Sequence, residues 1–476
     1  MNYLMIQNKG VAPVEGYTLL GLSTTRDCGV DGAIGQFGSG AKHAINVLLR
    51  AQVKFWIYCG RTRLEFCTKE ETIDDGLSKK TVEKVMCRLG GTSTKTIDCG
   101  WCLDFGAIDW NETAMAIREF VSNTIDRTIR QEGDFIKSMK DGNLSVIPQT
   151  EDQRRAREGY TRIYIEMGPE IQKYYGELPK RFLHFSPDPS QVSKSILPKA
   201  DRNLSNSLTP MIYRCGVLVR EISETKLPSL FDYNFRPAEL SIDECHNSSE
   251  YATRGACAWL MRGTSKENLA AIFESLVAGD QTFESEADSY YLCPSWDTPS
   301  GVEKQTWQEG WARTAGDAVM VDEAAKEVVQ HIQRKGHDVK PVKASAWLTT
   351  SERFGIKTAN NILSDSEQKG RVTTLATEAA VKAVETVWAW LVELEMTQGK
   401  EIPEVGCYRD IMHAESEIHG FYEDGTVYLR GDIADGLNKY LLKVAYEEVC
   451  HYVTGATDSS RDLQSFMIDC FIEVVA

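Results

Sequence analysis

Ile34-Gly35-Gln36-Phe37-Gly38-Ser39-Gly40-Ala41-Lys42-His43-Ala44-Ile45-Asn46-Val47-Leu48-Leu49-Arg50 sets three glycines in six residues directly ahead of an apolar-periodic run. Glycines at that density let the backbone take φ > 0 and approach a ligand without Cβ clashes. The helix expected behind them offers unpaired N–H groups and the positive end of its dipole, which together suit a phosphate. A plain tight turn is the bland alternative for a glycine cluster standing alone.

Downstream, Ala116-Ile117-Arg118-Glu119-Phe120-Val121-Ser122-Asn123-Thr124-Ile125-Asp126 carries apolar residues at helical spacing: Ile117, Phe120, Val121, Ile125 and then Ile129. That stripe predicts a helix with one core-facing side. Glu119, Asn123 and Asp126 fall at i, i+4 and i+7 and so project from one other side. A carboxylate one turn from an amide oxygen is what a water-activating base and a magnesium ligand require. The plain reading of the same side is a solvated surface.

Together the two stretches resemble the GHKL superfamily, the ATP-binding fold of Hsp90, DNA gyrase, the mismatch-repair ATPases and the histidine kinases. Arg118 to Asp126 is similar to the family's N-box helix, and Ile34 to Gly40 to its second glycine box. Ile6-Gln7-Asn8-Lys9-Gly10-Val11-Ala12 resembles the Asp-x-Gly-x-Gly box, with Asn8 for the aspartate and Ala12 for the second glycine. Leu20 to Arg26 resembles the lid ahead of the second glycine box. The order here places the N-box last, so the domain reads as a circular permutation, which is tolerated where termini lie close together at a surface.

The resemblance implies an α+β fold, an α/β sandwich of the GHKL (Bergerat) type with helices on one face of a mixed sheet. It implies ATP and Mg²⁺ as cofactors. Glu119 would polarise the attacking water, Asn123 would hold Mg²⁺, and Asn8 would meet the adenine amino group. Gly10, Gly35, Gly38, Gly40 and Asp126 would complete the nucleotide-binding set. Lys42 offers a point charge to the γ-phosphate or, on the plain reading, a solvated surface cation.

The chain has 476 residues, enough for several domains, with 42% hydrophobic and 26% charged content typical of globular proteins. Fifty-three basic against 69 acidic side chains leave a net charge of −16, which disfavours nucleic acid and anionic membranes as partners. No apolar run reaches the roughly 18 residues of a membrane span. The expected compartment is the cytoplasm, where the 13 cysteines would be buried small hydrophobes rather than disulfides. Cys99-x-x-Cys102 lacks a second pair at zinc spacing.

Three segments are expected: a permuted nucleotide domain over 1–190, its completion and coupling region over 191–316, and a mostly helical α+β domain over 317–476. Val53–Tyr58 and Arg63–Cys67 alternate as a hairpin. Glu70–Lys84 reads as a surface loop or short helix, Lys137–Arg157 as an exposed excursion, and Asp109-x-x-Glu112 as a capping box. Met211–Arg220 and Ser229–Asn234 resemble segments that follow the nucleotide domain in bacterial and phage relatives with this arrangement. Ala252–Ala278 reads as helix, and Asp280–Thr314 as loop with dispersed aromatics.

In the last segment, a hairpin at Tyr422–Leu429 precedes Tyr440–Asp458, which resembles a metallopeptidase-like module. Its His-Glu-x-x-His helix appears here as Glu447-Glu448-x-x-His451. Glu447, His451 and Asp458 could share a zinc ion, but a more anionic shell opposes activation of bound water. His413 and His419 flank the helix as surface histidines or substitute ligands. Three function classes follow. They are a slow ATPase whose lid or dimer cycle acts on a protein partner, an ATP-binding interaction protein without turnover, and an ATP-gated zinc peptidase.

Overall fold

The computed structural model describes residues 2–475 apart from 23–33, 35–37, 75, 77, 91–94, 200–207, 225, 244–246, 295, 335, 344, 363–371, 410–411, 414–415, 418, 432 and 457–460. The architecture is mixed α+β, in two compact units. One comprises residues 1–272 with 281–296, the other 273–280 with 297–476.

The first unit is built on β1 (Asn2–Lys9), β2 (Phe55–Cys59), β3 (Thr62–Asp74), β4 (Lys79–Gly90), β5 (Lys95–Cys102), β6 (Leu144–Thr150) and β7 (Tyr160–Glu166). They form one seven-stranded sheet in the order β5-β4-β3-β2-β7-β1-β6, with every pairing antiparallel rather than mixed. Alternation divides the strands between two faces. Leu4, Ile6, Ile57, Leu64, Phe66, Ile163 and Ile165 point to a core shared with the helices. Tyr3, Met5, Tyr58 and Tyr164 form a smaller cluster with Trp56 on the opposite face.

Helix α1 is the short Glu15–Thr18, α2 spans Gly40–Arg50 and α3 spans Thr113–Glu132. Ala44, Ile45, Val47 and Leu48 of α2 meet Ala116, Ile117, Phe120, Val121 and Ile125 of α3 in the same core. Burying side chains of this size stabilises by about 1.5–3 kcal/mol each, so the pair is fixed by its apolar stripes. Gly133 ends α3 in the left-handed conformation, at φ 73°. At the other end the expected capping box is absent: Glu112 is the N-cap and its side chain makes no cap hydrogen bond. Thr113 instead donates to Glu170 at 2.7 Å.

Two polar stretches turn out to be strands. Glu70–Lys84 belongs to the β3–β4 ribbon, which pairs without a break from Arg63↔Gly90 to Asp74↔Lys79. Its outer part is exposed on both faces, so it shows no hydrophobic alternation. Cross-strand polar pairs replace a core there: Lys84 lies 2.9 Å from Glu71, and Thr72 and Thr81 are 3.3 Å apart. Within Lys137–Arg157, Asp134 caps α4 (Phe135–Lys140), and β6 then returns along the edge of β1 with Leu144 and Val146 inward.

Beyond residue 166 lie α5 (Pro169–Gly176), α6 (Leu178–Arg181) and a four-stranded sheet. That sheet comprises β8 (Ile196–Pro198), β9 (Met211–Arg214), β10 (Val217–Glu221) and β11 (Phe231–Phe235), in the order β10-β9-β11-β8. Cys215 and Val217 enter the main core, so this stretch extends the first domain's interior. Helix α7 (Glu250–Arg262) is separated from a second helix, Lys266–Ala278, at Gly263 where one long helix was expected.

In the second unit, the stretch expected as loop holds the helix Gly301–Ala315, opened by a Ser300/Glu303 capping box. It buries Trp307 against Phe354, with ring centroids 4.0 Å apart. Val319–Asp322 and Val339–Val342 then pair in parallel. A four-stranded sheet follows, with Glu404–Arg409 and Thr426–Arg430 at its centre. Helices Glu378–Glu393 and Lys439–Thr454 share its core.

Candidate functional site

The strand ends of β1 and β7 make the floor of the candidate site. Asn8 and Thr161 are cross-strand partners, and alternation puts both on the helix-covered face. Both are buried. Asn8 donates through Nδ2 to the carbonyls of Lys9 at 2.7 Å and Gly10 at 3.4 Å. Those bonds fix the amide and leave Oδ1 as the acceptor for a ligand. Thr161 donates to Gly10 O at 2.8 Å and accepts from the N–H of Ala12 at 2.8 Å. The chain thus turns the corner after β1 around one hydroxyl. Gly10 has φ 93°, and a Cβ there would lie 2.1 Å from Gln131 Oε1, so the turn needs glycine on both counts.

Helix α3 supplies the wall. Glu119 and Asn123 are half-buried, one turn apart, and the Asn123 amide donates to Glu119 Oε1 at 3.0 Å. Burial pushes the Glu119 carboxyl up from its ordinary value, opposed by Arg118, the Asn123 hydrogen bond and Lys42. Asp126 is buried, and its Oδ1 accepts the N–H of Ile34 at 2.8 Å, tying the helix to the start of the glycine box. Arg127 reaches back to the carbonyl of Val11.

The start of α2 completes the arrangement. Gly40 is its first residue, and a Cβ built there would lie 2.1 Å from Glu119 Oε1. Only glycine admits the carboxylate this close to the helix N-terminus. The N-cap, Ser39, makes no side-chain cap hydrogen bond, so the first-turn N–H groups lack that partner. Lys42 is buried, which excludes the solvated-cation alternative. Its ammonium donates to Gly38 O at 2.7 Å and to Leu22 O at 3.1 Å, and burial brings its pKa down to about 8. It therefore bridges the two ends of the segment expected to form lid and loop. His43 beside it is sandwiched between Phe105 and Trp110 at 4.4 and 4.9 Å.

Glu119, Asn123, Gly40 and Lys42 are therefore brought together, Asp126 anchors the loop, and Asn8 and Gly10 sit at the end of β1. Gly35 lies outside the described residues, as does the lid from Ser23 to Arg26. Thr161 was missed by sequence reasoning. A threonine opening an apolar strand carries no signal by itself, and its partners lie 149 and 151 residues away. Hard oxygen donors on α3 facing the N–H groups of α2 form a donor set that fits a metal–phosphate group.

The second unit places its residues differently. Glu447 is exposed, whereas Glu448 and His451 are buried. The Glu448 side chain lies against Gly420, whose Cβ would come within 2.6 Å of Glu448 Cγ. His451 Nδ1 is 2.7 Å from the carbonyl of Ala456. Asp458 and the His413 side chain lie outside the described residues, and His419 is half-buried beside Tyr440. Among the described residues no group of three His, Cys, Asp or Glu could hold a metal ion. Among the same residues no helix is long and apolar enough to cross a membrane.

No family model, curated protein or solved structure matches the chain.

Proposed function

We propose that the first unit binds ATP with Mg²⁺ in a GHKL-type site, hydrolyses it slowly, and uses the cycle to act on a protein partner. The observation that carries this reading is the Glu119–Asn123 pair seated on Gly40 at the start of α2. Asn8 Oδ1 accepts from the adenine amino group. The α2 N–H groups, with Gly38 and Gly40 allowing close approach, hold the terminal phosphates. Asn123 Oδ1 and phosphate oxygens are the ligands for Mg²⁺, which supplies charge neutralisation at the transferring phosphoryl group. Glu119, its carboxyl raised toward neutrality, accepts the proton of the attacking water.

Glu119→Ala tests this. Binding of ATP should persist while turnover falls by roughly 10² or more, the scale of a general base. Binding with equal, negligible turnover in both proteins supports the interaction-protein alternative instead. Absence of binding at millimolar ATP sinks the nucleotide site itself. The peptidase alternative has less behind it, because the first expected ligand, Glu447, points to solvent while His451 is turned inward.

A further inference from the structure

The face of the main sheet away from the helices carries a second set of unabsorbed residues. Tyr3, Trp56, Tyr58, Tyr160 and Tyr164 pave it, and the segment Glu151–Arg157 straps across them, with Ala156 packed into the cluster. The strap holds Arg154-Arg155-Ala156-Arg157, three arginines in four residues of a chain whose net charge is −16. Arg154 lies 3.7 Å over the Trp56 ring and 5.8 Å over Tyr3, and Arg157 lies 3.7 Å over Tyr160.

Guanidiniums stacked this way are held flat, with their N–H edges turned outward. None of the three has a carboxylate ion pair among the described residues, and Arg154 Nε is buried without a hydrogen-bond partner. The nearby acids are otherwise engaged: Glu158 pairs with Arg61 at 2.6 Å, and Glu65 with Arg63 at 3.3 Å. Arg162 is fixed beneath, donating to Gln7 Oε1 at 2.6 Å and to Arg155 O at 3.0 Å. Its hydrogen bonds are satisfied, so it positions the strap and leaves binding to the other three.

The geometry points to a phosphoryl-binding site on this strap, formed by Arg154, Arg155 and Arg157, that takes a phosphorylated segment of a partner protein. Pre-stacked guanidinium forks match the oxygens of a phosphate dianion bidentately. The three lie in one short strap rather than along a track, and the whole chain is acidic. A single compact dianion fits that distribution better than a nucleic-acid backbone, which needs many spaced cations.

The test uses the full chain and a pool of random-flank phosphoserine peptides, with the dephosphorylated pool as its twin. The phosphorylated pool should be retained at least tenfold better, and Arg154→Ala with Arg157→Ala should remove the preference. Arg154→Lys with Arg157→Lys keeps the charge but loses the fork and the stack, and should lower retention by several-fold. Lys42→Ala should leave retention unchanged, which separates this site from the glycine loop. Circular dichroism of each variant establishes that it is folded. Equal retention of the two pools overturns the proposal. So does a preference that survives the folded Arg154→Ala/Arg157→Ala protein, one that disappears with Lys42→Ala alone, or displacement of the peptides by micromolar oligothymidine.

Discussion

Gly40 begins a helix with ordinary backbone angles, so nothing in its own conformation asks for glycine. Alanine there would suit the helix better, by up to about 1 kcal/mol. The reason for glycine is the neighbour: the Glu119 carboxylate occupies the space a Cβ would take. Because the obstructing atoms end a flexible side chain, Gly40→Ala should fold normally, with a melting temperature within about 3 °C of wild type. Displacing Glu119 should nevertheless cut ATP turnover by roughly 10², as removing the base would. Wild-type turnover in the folded variant would show that Glu119 has no need of that position. His184 is a second residue that acts through its surroundings. It is buried edge-on to Phe135, and burial alone takes its pKa down to about 3. Unfolded, it titrates near 6.5, so between pH 6.5 and 3 the unfolded chain binds the extra proton. Stability from this group is therefore complete above pH 6.5 and lost on acidification, at about 1.4 kcal/mol per pH unit. Urea unfolding at pH 7, 6 and 5 should show that slope, and His184→Phe should remove one proton's share of it. An unchanged slope would mean that His184 titrates normally.

At the scale of elements, legibility followed periodicity. Helix α3 was readable because its core stripe and its polar side recur at helical spacing, and the structure keeps Glu119, Asn123 and Asp126 on one side. The β3–β4 ribbon was not, because strands exposed on both faces have no apolar alternation to betray them. Helix Gly301–Ala315 hid for a different reason. It buries Trp307, Gly310 and Trp311, too few apolar positions to stand out, although Ser300-x-x-Glu303 marked its start. In the site, residues from contiguous stretches were readable, while Thr161 and the burial of Lys42 depend on chain crossings that a local pattern does not encode. Helix Lys439–Thr454 carries its own expectation. With Glu447 outward and His451 bonded to Ala456 O, the purified protein should hold well under one equivalent of zinc and cleave no generic peptides. Zinc content by atomic absorption checks this. One tightly held equivalent, with proteolysis abolished by Glu448→Gln, would reverse the reading.

At the scale of the whole molecule, the boundary between the two units falls near residue 296 rather than at 316, because the tryptophans of Gly301–Ala315 pack with Trp347 and Phe354. Composition had nothing to say about that boundary, since both sides of it are equally rich in Gly, Pro and aromatics. The place of β1 has a further consequence, for assembly rather than chemistry. Its two neighbours in the sheet, β6 and β7, come from residues 144–150 and 160–166. At translation rates of roughly 5–20 residues per second, β1 waits on the order of ten seconds or more for both partners. Leu4 and Ile6 have no sheet to join in that interval. Closing a loop of this span also slows the search itself. The strand that supplies Asn8 is thus the first made and among the last placed, and the nucleotide floor forms only when the sheet does.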